Sequence, residues 1–304
     1  MSIDLPATPD VPEVDPDKST DADAKKATRD PLTAPPLRRE HDTMMRRIGV
    51  VAPPVAVLLG AIGLWYLYSF LIGETERNIS LPYFHDVVSI AFFDTENRNE
   101  LLSATWVSAK VAIIGLIIAM AIGLLFAVLM SQAQWVERSF YPYAVLMQTV
   151  PILALVPLIG LRLGFGFTAR VLVVVIISLF PIITNTLFGL KSAQAGLHDL
   201  FSLHHVSRGT RLRKLMFPAS LPAMFTGFQI SAGLSVIGAI VGGFFFGRGE
   251  QDLGLRIRLY SSRVLPEQLI GAVVLSALLG VVVFWFFGWA KQRLTAHWDE
   301  TTAG

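Results

Sequence analysis

The chain has 304 residues, is 53% hydrophobic, and combines a mean hydropathy of +0.56 with a formal net charge of +2. That apolar share, gathered into long runs, excludes an ordinary soluble globular protein and points to an integral membrane protein. The absence of cysteine excludes a disulfide scaffold and thiolate metal sites, and no nucleic-acid partner is expected.

Residues 1–45 hold seven prolines, ten Asp/Glu and six Lys/Arg with almost no large apolar side chains. Such a composition cannot bury enough surface to offset chain entropy, so a disordered tail is predicted there. No apolar stretch precedes Ile48, which argues against a signal peptide. Arg38, Arg39, Arg46 and Arg47 stand before the first apolar run, Ile48 to Ile72, and place the N-terminus in the cytoplasm by the positive-inside rule. About 20 apolar residues cross a hydrocarbon core, so this run is a membrane span. Residues 73–100, mixed and acidic, then lie outside.

Five more spans follow: about Leu101–Met130, Tyr143–Leu163, Val171–Leu190, Ala223–Phe246 and Leu269–Ala290. Lys110 falls two turns inside the second span, where its charge either snorkels to the interface or faces a wet interior. The third span carries Pro151 and Pro157, which free backbone groups that lipid cannot satisfy. That face is therefore expected to be buried in protein or to line a cavity. The fourth span has Pro181 followed by Thr184, Asn185 and Thr186; the fifth has Gln229, Ser231 and Ser235. With Lys291 and Arg293 closing the sixth span, both termini are placed inside. The loop Gly247–Gln268 fits poorly outside, because Arg248, Arg256, Arg258 and Arg263 outnumber its acids; its arginines are either interfacial or receive an acidic partner or anionic solute.

Between the fourth and fifth spans lies a polar interruption, KSAQAGLHDLFSLHHVSRGTRLRK, with five Lys/Arg, three His and one Asp over Lys191–Lys214. Leu197, Leu200, Phe201 and His204 share one helical face, and Ser207 caps a second helical piece. Pro218 cannot donate a backbone hydrogen bond, so the second piece is expected to stop there, leaving two short helices outside the bilayer. His198, His204 and His205 do not converge on one face, which favours surface histidines over a metal site.

The spacing of this loop resembles the EAA loop of ABC-importer permeases, an acidic-small-small triplet followed after three residues by glycine and later by Leu-Pro. Set on Phe217-Pro218, it places Asp199 at the acid, Leu200 and Phe201 at the two alanines and His205 at the glycine. The segments PILALVPLIGLRLGFGF from Pro151, LFPIITNTLFGL from Leu179 and PASLPAMFTGFQISAGLSVIGAIVGG from Pro218 are similar to the nitrate/sulfonate/taurine branch of bacterial type I importers, with Gln229 for the usual Arg and Gly243 for the usual acid. The resemblance covers about Glu100 to Leu294.

It implies an all-α membrane protein of six transmembrane helices with a coupling-helix loop between helices 4 and 5. The implied division is a tail over 1–45, a first helix and outer segment over 46–98, a permease domain over 99–294 and a cytoplasmic tail over 295–304. Implied partners are two copies of a cytoplasmic ATPase, a second permease subunit taken as a second copy of this chain, an extracytoplasmic substrate-binding protein, and the lipid membrane. Docking falls to Asp199, Leu200, Phe201, His204, His205, Val206, Arg208 and Gly209. The pathway is assigned to Gln148, Thr149, Thr184, Asn185, Gln229, Ser231 and Ser235.

No cofactor and no catalytic residue are expected: the chain has no phosphate-binding GxxxxGK[ST], no HExxH and no nucleophile elbow. No Asp, Glu or His lies within the six runs, which argues against a stand-alone secondary transporter; that and a non-transporting scaffold are the alternatives. The branch carries small anions as well as pyrimidine and riboflavin-like vitamin precursors, and the loss of charge at Gln229 and Gly243 leans toward the latter.

Overall fold

The computed structural model describes residues 40–299 apart from residue 248, and among them there is no strand. The tail expected over residues 1–45 lies outside the described residues as far as 39. The chain divides into two units, residues 1–60 and 61–304. Of the first, the described part is the opening of helix α1 (Glu40–Leu71), which carries Pro53 and Pro54 and begins ahead of the expected Ile48.

In the second unit, Trp65 Nε1 donates to Pro82 O at 2.9 Å and Ser69 Oγ to Leu81 O at 3.0 Å, pinning the end of α1 to the segment that follows. That segment holds α2 (Glu74–Ile79), α3 (Phe84–Val88) and a π-turn over Ser89–Phe93. Asp94 then caps α4 (Thr95–Gln132) by accepting the Asn97 amide at 2.9 Å. Helices α5 (Gln134–Thr149), α6 (Ile152–Leu163) and α7 (Phe167–Leu190) follow. Beyond them lie α8 (Ala195–Leu203), α9 (Arg208–Arg211), α10 (Phe217–Phe246), α11 (Leu253–Arg263) and α12 (Pro266–Asp299).

Among the described residues, five helices are long and apolar enough to cross a membrane, and the pair α5 and α6 makes a sixth if counted as one span. The third run, expected as a single span from Tyr143, is instead two helices that start at Gln134 and meet at 96°. Val150 and Pro151 both adopt extended backbone at the break, Val150 because a residue before proline is pushed out of the helical region.

The expected stop at Pro218 is also corrected. A π-turn over Leu212–Met216 joins α9 to α10, with the Phe217 amide reaching back to Leu212 O. The wider turn carries the chain past the point where an α-helix would press the proline ring on the carbonyl four residues before it, so the helix runs on. Arg208 to Phe246 is one helical span of 39 residues.

The core sits where α4, α7 and α10 face one another: Val111, Leu116, Val174, Ile182, Phe228 and Val236 are buried together there. Lipid tails are as apolar as these side chains, so close approach and polar bonds have to hold the helices together. At Gly227 a Cβ would stand 2.8 Å from the Pro181 carbonyl oxygen and from Asn185 Cβ, so only glycine lets α10 lie this close to α7. One turn on, Ser231 Oγ donates to Ser178 O at 2.7 Å and Ser178 Oγ returns a longer bond to Ser231 O at 3.4 Å.

Candidate functional site

Two regions assemble the residues singled out by the sequence. The first is the loop. Ser207 caps α9, its hydroxyl accepting the Thr210 amide at 3.3 Å, as its position predicts. Arg211 Nη2 donates to Ser202 Oγ at 2.8 Å and ties the two helical pieces together. Helix α8 ends with His205 in the left-handed region at φ 49°, where the Val206 amide bonds Phe201 O and the His205 amide bonds Ser202 O. This pair of bonds is a Schellman ending, which favours glycine at the left-handed position. His205 is the residue aligned with the loop's glycine, so that spacing has a backbone cause.

The face of α8 expected to be apolar is turned outward. Leu197 and Leu200 are exposed, and Leu203 is 78% exposed, while Phe201 is half-buried. Asp199, His204, His205, Arg208 and Gly209 are exposed and Val206 is half-buried. Asp199, Ser202, Leu203 and His205 line an open notch of about 470 Å³. Three leucines left bare beside a polar notch form a surface that a partner protein can cover.

The second region is the bend between α5 and α6. A cavity of about 410 Å³ opens there, lined by Gln148, Thr149 and Pro151 from the bend, by Ile177, Phe180 and Pro181 from α7, and by Leu234 and Ile237 from α10. Its level is halfway along α7, since Ile176 to Pro181 stand midway between Phe167 and Leu190. Thr184 and Asn185 lie one turn beyond. Thr184 Oγ1 donates to Phe180 O at 3.0 Å and Asn185 Nδ2 to Pro181 O at 2.8 Å, so both side chains brace the proline turn whose residues line the cavity.

The other named residues are elsewhere. Ser231 and Ser235 are fully buried in helix packing, and Ser235 Oγ donates to Ala232 O at 2.8 Å. Gln229 is half-buried against α12, where a Cβ at Gly288 would stand 2.8 Å from its Nε2. Gln148 and Thr149 are thus brought to the cavity, Thr184 and Asn185 to its support, and the remaining three to helix interfaces.

A charged junction between α7 and α11 escaped the sequence reading. Arg170 is 1% exposed and Asp252 0%, and Arg170 Nη1 meets Asp252 Oδ2 at 2.6 Å. The same nitrogen donates to Glu250 O at 2.9 Å, and Asp252 Oδ1 accepts the Leu255 amide at 2.8 Å to cap α11. Ser108 of α4 accepts the Leu253 amide at 3.0 Å. Around this junction Lys110 faces Glu250 at 3.5 Å and Arg256 meets Glu100 at 2.7 Å. Lys110 is therefore ion-paired with an acid of the loop after α10.

Burial pushes the Asp252 carboxyl above its usual range, against the pull of Arg170 and the amides of Leu255 and Gly254. A Cβ at Gly243 would overlap the Asp252 carboxylate, so the volume next to the position where the related branch carries an acid is filled here by an acid from the next helix. The available signal was an arginine just ahead of the fourth run paired with an acid in the loop 82 residues on.

Residues 112–296 match the family model described as binding-protein-dependent transport system inner membrane component. The chain is 32% identical over 224 residues to the formylaminopyrimidine transport permease protein ThiX of Halalkalibacterium halodurans, covering 73% of this chain and 89% of that one. It is 29% identical over 168 residues to the riboflavin transport system permease protein RibX of Chloroflexus aurantiacus, covering 55% and 62%. Among solved structures, the inward-facing MetNI methionine ABC transporter superposes with a TM-score of 0.56 at 15% identity, over 66% of this chain and 99% of that one, a likeness of fold.

Proposed function

The chain belongs to the inner membrane components of binding-protein-dependent transport systems, the multi-pass permease subunits of ABC importers for small solutes, and from that premise we propose how it is assembled and moved. Two copies of the chain enclose one pathway, each docks a separate cytoplasmic ATPase subunit, and an extracytoplasmic binding protein delivers the solute. Both termini and the loop Lys191–Lys214 face the cytoplasm. The solute is a small polar or anionic molecule, of sulfonate or vitamin-precursor type.

The observation that carries this reading is the unbroken helix from Arg208 to Phe246. Its first turn lies in the loop, and Leu234 and Ile237 in its second half line the cavity at the bend. The docking set is Asp199, Leu200, Phe201, His204, His205, Val206, Arg208 and Gly209, with the bare leucines of α8 set into a groove on the ATPase. Closure of the ATPase pair on ATP then biases the helices between inward-open and outward-open forms, because each form docks with a different free energy. Gln148 and Thr149 contact the solute; Thr184 and Asn185 hold the proline turn; Gln229, Ser231 and Ser235 line the path in forms where α10 has separated from its neighbours.

The test is purification of the tagged chain from its native membrane, with mass spectrometry for a phosphate-loop ATPase, beside a Phe201→Asp, Arg208→Glu double variant. An ATPase that accompanies the parent and is lost from a folded double variant is expected. If it accompanies both equally, docking lies outside the loop and the reading is overturned.

A further inference from the structure

Three contacts fix the register between α10 and α12. Lys291 Nζ donates to Thr226 Oγ1 at 2.9 Å. A Cβ at Gly288 would stand 2.8 Å from Gln229 Nε2, and one at Gly280 would stand 3.9 Å from Val236 Cγ1. Rising numbers on α10 meet falling numbers on α12, so the two helices are antiparallel. The seam between them can be followed level by level from the end nearer the loop Lys191–Lys214.

Along it come a cation, an amide and then an apolar groove. Lys291 and Thr226, both half-buried, make the first level. Three residues on, about 4.5 Å along each axis, the half-buried Gln229 brings its amide beside Gly288. That amide makes no hydrogen bond among the described residues. Beyond it a groove of about 350 Å³ opens between Gly233, Val236 and Ile237 of α10 and Ala277, Val281 and Trp285 of α12. Ile237 is 55% and Trp285 71% exposed, so the groove is open on its outer side. From Thr226 to Ile237 is eleven residues, about 16 Å, and from Lys291 to Ala277 fourteen, about 21 Å. One leaflet supplies about 15 Å of hydrocarbon, half of the bilayer core.

The phosphate, ester and acyl chain of a phospholipid follow in the same order over the same length. We propose that this seam is a site for an anionic phospholipid, its phosphate at Lys291, an ester carbonyl at the Gln229 amide and one acyl chain in the groove. A second transmembrane helix would fill the groove with apolar side chains but would bring no anion to Lys291. A zwitterionic headgroup brings a cation of its own, so one lysine favours an anionic lipid over it by about fivefold, what a single cation contributes at a membrane surface. Arg293 is the internal comparison. It lies two residues from Lys291, about 200° around the helix, with its guanidinium 5.5 Å from the Trp289 ring centre.

The full chain is reconstituted in phosphatidylcholine vesicles holding dibrominated phosphatidylglycerol or dibrominated phosphatidylcholine as the minor lipid. Quenching of Trp285, which lines the groove, is taken as the difference between the parent and Trp285→Phe. Brominated phosphatidylglycerol is expected to quench at about one fifth of the concentration that brominated phosphatidylcholine needs. Lys291→Gln should abolish that preference, whereas Lys291→Arg and Arg293→Gln should keep it. Gly233→Phe, whose Cβ meets nothing within 4 Å, fills the groove and should reduce quenching by both lipids with the thermal midpoint unchanged. Equal quenching by the two lipids, or a loss with Arg293→Gln as large as with Lys291→Gln, overturns the proposal. So does an absence of quenching by either lipid, and an Ala277→Cys chain that then cross-links to a second copy identifies the occupant as that copy. None of these outcomes bears on the ATPase co-purification, so the two readings fail separately.

Discussion

Replacing Asp252 with alanine leaves Arg170 charged in a place that is 1% exposed. Removing one member of a buried ion pair costs about 3–5 kcal/mol, because the remaining charge is uncompensated, and loss of the α11 cap adds about 1 kcal/mol. A total of about 5 kcal/mol corresponds to a fall of about 10–20 °C in thermal midpoint for a domain of this size. The assay is thermal unfolding of the detergent-solubilised chain followed by tryptophan fluorescence, with Gly243→Asp introduced alone and on top of Asp252→Ala. Alone, an acid at 243 overlaps the Asp252 carboxylate and should destabilise. In the Asp252→Ala background it enters the vacated volume and should restore several degrees, so the double-variant cycle changes sign. A fall of less than about 3 °C for Asp252→Ala, under about 1 kcal/mol, would refute the burial argument. A Gly243→Asp penalty that is the same in both backgrounds would refute the shared-volume argument.

His205→Gly removes left-handed strain of about 1 kcal/mol and should slow amide exchange of His205 and Val206, about fivefold if closing is local. Gly227→Ala presses a methyl on the Pro181 carbonyl oxygen and should lower stability by about 1–3 kcal/mol, seen as a lower midpoint, whereas Gly196→Ala, with open space around it, should not.

Much of this fold was legible because a span needs only an apolar run of sufficient length, and α4, α7, α10 and α12 contain such runs. What failed depended on geometry that hydropathy does not encode. Pro151 revealed where backbone bonds are lost, but not that the halves would turn through 96°. Pro218 looked like a stop, and a single π-turn upstream removed its obstacle. The loop's glycine spacing was legible from resemblance, and its cause appears only in the φ of His205. Arg170 and Asp252 are 82 residues apart, and nothing local to either announces the other. Gln148 and Thr149 reach the cavity because they precede a proline break, a local cue; the wall that Phe180 supplies comes from packing between helices.

The unbroken run from Arg208 to Phe246 bears on how far a small push travels. A helix that carries on through the π-turn at Leu212–Met216 and past Pro222 as one span moves as a lever rather than a chain of independent joints. Leu234 lies 26 residues from Arg208, about 40 Å along the axis, so a tilt of about five degrees at the loop sweeps the cavity wall by about 3 Å. A solute clasped against Phe180 in one tilt would lose its opposite wall in the other, and nothing inside the span needs to unfold for that to happen.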